Sequence, residues 1–155
     1  MTKQCIPSSG GDELCPLSGD VVSFHTQIKV NGLLEIPEPK PDKETIFNTM
    51  HEIKITKLTT ITVRQPAGKK VLLVGTLTVG IEYISDTPEQ KVHFAHWDIP
   101  FQALIKKSDG SLLDLDFKLE DYVAHVCVEH EEYTQIGKRT ISKEIVLLIW
   151  LQPKN

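Results

Sequence analysis

The chain has 155 residues, a net charge of 17 − 21 = −4 and an apolar fraction of 40%. That is the length of one domain with enough chain to bury a core, and the acidic balance excludes a general nucleic-acid binder, whose affinity comes from basic charge on phosphate. No stretch approaches the ~20 apolar residues that cross a bilayer, and Met1-Thr2-Lys3-Gln4-Cys5 lacks the apolar run of a secretory signal.

Val, Ile and Thr number 12, 15 and 13, against four Ala. Branched Cβ atoms pack well on a pleated sheet and lose rotamer freedom on a helix, so an all-β fold is expected. Residues 1–20, with Ser8-Ser9-Gly10-Gly11 and Pro7 and Pro16, show no alternation and read as a flexible N-terminal arm. The rest, residues 21–152, reads as a single β-domain.

From residue 21 the period becomes two. Val22, Phe24, Thr26, Ile28 and Val30 share one face of a half-buried strand. Asn31-Gly32 follows as a hairpin signal, with Leu33 to Ile36 returning along the first strand. Pro37, Pro39 and Pro41 break regular structure, and Asp42 is placed to cap a short helix over 42–50. Residues 51–63 alternate again; Ile53, Ile55, Ile61 and Val63 share a face that Lys57 interrupts, which points to a bulge.

Gln65-Pro66-Ala67-Gly68 reads as a turn into a long strand from Val71 to Ile84, with Val71, Leu73, Leu77, Val79, Ile81 and Tyr83 in register. After the turn Asp86-Thr87-Pro88-Glu89, Val92 to Ile105 forms the next strand, and Pro100 places it at an edge or a kink because proline donates no ladder hydrogen bond. Asp109-Gly110 turns again. Strands at Tyr122–His130 and Ile141–Leu151 flank a loop with Gly137, and the last is apolar on both faces, as a central strand or one covered by another subunit would be. Strands joined by short turns imply an antiparallel β-sandwich, with a partly open barrel as the second choice.

The motifs of common catalysis are missing: there is no nucleophile elbow, P-loop, dinucleotide-binding glycine motif or His-Glu-x-x-His. His93 and His96 are three apart in a strand, so they point to opposite faces and cannot share a metal. Catalytic residues, cofactor and metal are therefore all expected to be none. The cysteines are Cys5, Cys15 and Cys127, an odd count that cannot close entirely within one chain, so at least one thiol is free or pairs with another molecule. In the strand over 122–130, Ala124, Val126 and Val128 form the apolar face, which turns His125, Cys127 and Glu129 away from the core. Three readings of Cys127 stand side by side: a small residue covered by neighbouring structure, a metal ligand with His125 and Glu129, or a cross-linking thiol. In the last, Cys5 and Cys15 on a flexible arm bond Cys127 or each other between subunits. An intramolecular Cys5–Cys15 bond with Cys127 left over is also open.

Several motifs, in order and spacing, resemble the SPOCS domain family. Val71-Leu72-Leu73-Val74-Gly75-Thr76-Leu77-Thr78-Val79-Gly80-Ile81-Glu82-Tyr83-Ile84 looks like the strand that opens that domain's core. An acidic turn and His93-Phe94-Ala95-His96-Trp97-Asp98-Ile99-Pro100-Phe101 follow, then an alternating strand from Val123 to Glu132 and a final apolar strand after Gly137-Lys138-Arg139. The Pro-rich segment around Pro37–Asp42, ahead of a long strand, adds to the likeness, which spans roughly 25–152. The resemblance implies a non-enzymatic structural protein of the spore surface, exosporium or coat, in endospore-forming Firmicutes. It implies a homo-oligomer of many copies in a lattice or filament, with other spore coat or exosporium proteins as further partners and neither nucleic acid nor membrane among them. It further implies synthesis in the mother-cell cytoplasm without a signal peptide. Morphogenetic members add a LysM module, whereas only Gln152-Pro153-Lys154-Asn155 follow Leu151 here, so a stand-alone domain is expected. The alternative is a soluble adaptor that binds another spore coat morphogenetic protein.

Overall fold

The computed structural model describes residues 15–16 and 23–154, and these form two antiparallel sheets packed face to face. The first sheet is built on β7 (Thr140–Pro153), with β6 (Tyr122–Gln135) on one side and both β1 (His25–Lys29) and β2 (Gly32–Glu35) on the other. The second sheet is a meander of β3 (Lys43–Arg64), β4 (Ala67–Ser85) and β5 (Val92–Ile105). A single 3-10 turn, Leu119–Asp121, leads into β6. The all-β sandwich expected from the sequence is the observed architecture.

The core lies between the sheets and follows from alternation. On β4, Val71, Leu73, Leu77, Val79, Ile81 and Tyr83 are all fully buried, on one face of a strand with neighbours on both sides. Ala95, Phe101, Ala103 and Ile105 of β5 join them, and Ile141, Ile145, Leu147 and Ile149 of β7 face them from the other sheet. β7 is the central strand that its two apolar faces call for. Pro100 sits on β5, which among the described residues pairs with β4 alone, so the missing amide falls in an edge strand.

Two local expectations are corrected. Asn31-Gly32 is not a hairpin turn. β1 pairs with Val146–Trp150 and β2 with Thr140–Lys143, so the chain runs on along the same edge of β7. Asn31 Oδ1 accepts the Ile145 amide at 3.3 Å, and Gly32 takes a φ of 148°, where a side chain would be strained. The dipeptide's conformational freedom makes an irregularity within an edge, because β7 is long enough to receive both segments. The expected helix over 42–50 is likewise the start of β3. Asp42 does not cap: its carboxylate accepts from Arg139 Nη1 at 2.8 Å and its carbonyl from the Asp86 amide at 2.8 Å. With Thr45, Ile46, Phe47 and Thr49 suited to strand, the ladder to β4 prevails.

β3 bends through three register irregularities, and the last, between Ile55 and Lys57, is the bulge that Lys57 signalled. β1 and β5 are tied where Phe24 bridges Lys107 and the Ser108 amide donates to the Ser23 carbonyl at 2.8 Å. β3 and β6 are not paired with each other, so the sandwich is not closed into a barrel. Around that open side, Arg139 holds the Pro-rich loop through Asp42 and the Ile36 carbonyl, and Lys43 Nζ donates to the Gly137 carbonyl.

Candidate functional site

The outer face of the first sheet carries the chain's most unusual arrangement. In register across it lie His25, Trp150 and His125, and next to that row Gln27, Leu148 and Cys127. An outward row of this kind ordinarily meets water. Here Cys127 is fully buried and Leu148 and Trp150 are each 8% exposed, forming an apolar cluster separate from the main core. The His125 ring lies on Trp150 with centroids 4.8 Å apart.

A disulfide joins Cys15 to Cys127 of the same chain, with Cα atoms 5.5 Å apart across a sequence separation of 112. It fastens Cys15 to the outer face of β6. The alternation of β6 thus gives the correct side for Cys127, away from the core, but the residue is buried and bonded to Cys15 of its own chain. The bonds weighed from the sequence ran between subunits or from Cys5 to Cys15, and this pairing was not among them. Cys5 and the rest of the proposed arm over 1–20 lie outside the described residues, Cys15 and Pro16 excepted.

His125, Cys127 and Glu129 do not act as a ligand set. The Cys127 sulfur is bonded to Cys15, His125 Nε2 is 2.8 Å from Gln152 Oε1, and Glu129 accepts from Gln27 Nε2 at 2.7 Å. Among the described residues no group of three metal-ligating side chains converges. His93 and His96 face opposite sides of β5, as expected, against Tyr83 and Phe94 respectively.

The sequence reading missed a buried polar group on the open side between β3 and β6. His51 Nδ1 lies 2.8 Å from Glu131 Oε2, and both side chains are almost fully buried. Burial, with the Glu131 charge adding to it, pushes the Tyr133 hydroxyl well above the usual tyrosine range. The Tyr133 hydroxyl and Glu131 Oε1 have no hydrogen-bond partner among the described residues. The pair spans eighty positions of sequence, and no spacing rule links residues that far apart on different sheets. A charged pair taken out of water gains little net stability, whereas losing one partner is costly.

The second sheet differs on its outer side. Val92, Phe94 and Leu104 of β5 point away from the core and stay exposed. β3, β5 and β6 each have one edge with no strand partner among the described residues. No described helix is long and apolar enough to cross a membrane.

This is a β-sandwich with a disulfide on one outer face, and its described residues assemble no catalytic constellation. A family profile described as SipL, SPOCS domain, matches residues 44–127, more than half of the chain. The chain belongs to the SPOCS domain family, a spore-related, non-catalytic family, and is a sporulation-related protein. The matched span runs from the start of β3 to the disulfide-bonded Cys127. Neither the curated proteins nor the solved structures contain a match.

Proposed function

We propose that the chain is a structural, non-enzymatic building block of the spore surface, in exosporium or coat, that assembles in many copies into a lattice or filament. The observation that carries this reading is the Cys15–Cys127 bond, which fixes Cys15 on an outer sheet face. The same seat on one copy can receive the same segment from another, an exchange that adds no new contact chemistry. Strand edges without partners offer main-chain hydrogen bonds to a neighbour as well.

Cysteine arithmetic sharpens the cross-linking part. With Cys15 and Cys127 joined within each chain, Cys5 is the one cysteine remaining to bond a second copy. One such thiol per chain yields covalent dimers and nothing longer. A covalent polymer requires Cys15 of one copy on Cys127 of the next, with Cys5 as an additional link. Cys5 lies ten positions before Cys15, a reach of at most about 33–36 Å when extended.

The test is negative-stain electron microscopy of oxidised and reduced protein, alongside denaturing gels run without reductant. Regular arrays with a reductant-sensitive ladder are expected if the segment exchanges, and arrays with only a dimer band, abolished in Cys5→Ser, if it does not. Small discrete particles and a monomer band in both halves would overturn self-assembly and favour an adaptor that binds another coat protein.

A further inference from the structure

Lys143 is out of place in its strand. On β7 the buried face runs Ile141, Lys143, Ile145, Leu147, and Lys143 is only 6% exposed between two buried isoleucines. An ammonium in such a position ordinarily has a carboxylate beside it. Lys143 has no ion pair or hydrogen bond to its side chain among the described residues. Its cross-strand neighbours are Gly32 on β2 and Tyr133 on β6. The nearest acid in register is Glu131, diagonal on β6 opposite Ile145, and it is engaged with His51 of β3.

Gly32 explains how the amine is accommodated. A Cβ built on Gly32 would lie 3.0 Å from Lys143 Nζ. Gly32 is itself exposed, so the missing side chain leaves an opening toward solvent at the tip of the lysine. The residue is buried like its core neighbours and its amine lies beside exposed Gly32. Desolvation alone lowers the Lys143 pKa below the usual lysine value. A lysine desolvated among apolar groups holds more of its neutral, nucleophilic form near pH 7.

We infer that Lys143 is a modification site for small carbonyl compounds, entered at Gly32, where the amine bonds an aldehyde as a Schiff base. The amine lone pair attacks the carbonyl carbon and the C–N bond forms as the carbonyl π pair moves to oxygen. Two protons pass from nitrogen to that oxygen, water leaves, and the imine remains; no oxidant or reductant is needed. This inference is independent of how the chain assembles.

The test is trace modification of the folded protein by formaldehyde, trapped with cyanoborohydride, between pH 6.5 and 9.5. Mass spectrometry reads each lysine separately, and exposed Lys29 and Lys54 serve as internal references. Lys143 is expected to react several-fold faster than either at pH 7, with its rate rising at lower pH than theirs. In Gly32→Ala the new methyl group blocks the opening, and modification of Lys143 is expected to fall at least fivefold while Lys29 and Lys54 keep their rates. Should that variant fail to fold, the ranking of lysines in the unaltered chain decides. A Lys143 that stays unmodified while Lys29 and Lys54 react, or that follows their pH profile, overturns the inference.

Discussion

The outer faces of the two sheets carry comparable apolar residues and treat them oppositely. On the first sheet, Cys127, Leu148 and Trp150 are nearly sealed from water. On the second, Phe94 is 42% exposed and Val92 57%. Both strand faces are legitimate places for such residues; what differs is whether the chain brings its own cover. On the first sheet Cys15 is bonded onto Cys127. The lesson is that strand alternation sets a residue's side, and long-range chemistry sets its burial.

The comparison can be broken most strongly at the fastening. Reduction, or Cys127→Ser, opens a loop spanning 112 positions, and the chain-entropy argument for a loop near 100 residues gives a loss of about 4–5 kcal/mol. Urea unfolding with and without reductant measures it; coincident curves would mean that the cover contributes nothing to the folded state. Next in size is a paired truncation. Trp150→Ala should cost about 3–4 kcal/mol as a buried aromatic, and Phe94→Ala less than about 1 kcal/mol as a surface change. Equal shifts in melting temperature would erase the distinction between the two faces.

Glycines give a finer contrast within β4. A Cβ at Gly75 would stand 2.7 Å from the Lys54 carbonyl oxygen and from the Phe101 ring, so Gly75→Ala must move backbone and should cost about 2 kcal/mol. At Gly80 the clashing atoms belong to Phe94 and Met50, whose side chains can swing outward. Gly80→Ala should therefore cost about 0.5 kcal/mol. Thermal melts of the two variants read the difference, and a costly Gly80→Ala would show that the outer face of the second sheet is held as firmly as the first.

One expected effect has the opposite sign, and it concerns Tyr133. Its hydroxyl is buried without a partner among the described residues, so Tyr133→Phe should gain about 1 kcal/mol. The hydroxyl ionises more reluctantly in the folded chain than in the unfolded one, where tyrosine titrates near pH 10. Above about pH 10 the unfolded state sheds a proton that the folded state keeps, so stability falls as pH rises, and below that it is flat for this group. Tyr133→Phe should flatten the alkaline limb of a stability–pH curve in part, since burial also raises Tyr83. An unchanged limb would remove Tyr133 as its source.

Much of this was legible in the chain because alternation is a local signal. The buried row of β4, the edge position of Pro100, the bulge at Lys57 and the outward side of Cys127 all follow from neighbours within a few residues. What failed depended on partners far away. Asn31-Gly32 makes a hairpin only if its two arms prefer each other to β7. Asp42 caps a helix only if Arg139 leaves it alone. The meeting of His51 with Glu131, and of Cys15 with Cys127, is decided by how the sheets and the N-terminal segment come together, which no local pattern records.

The position of β7 has a consequence in time. The second sheet is made of consecutive segments, and its ladders are available once residue 105 has been synthesised. The first sheet has no ladder without β7, because β1, β2 and β6 all pair with it. Strands made at the beginning must wait for residues 140–153 before any of them finds a partner, a high-contact-order step that follows the quick closure of the meander. During synthesis, then, the ribosome carries a half-built molecule whose meander presents its inner face to whatever is near. The outer face that carries Cys127, Leu148 and Trp150 therefore comes last, after the meander has closed.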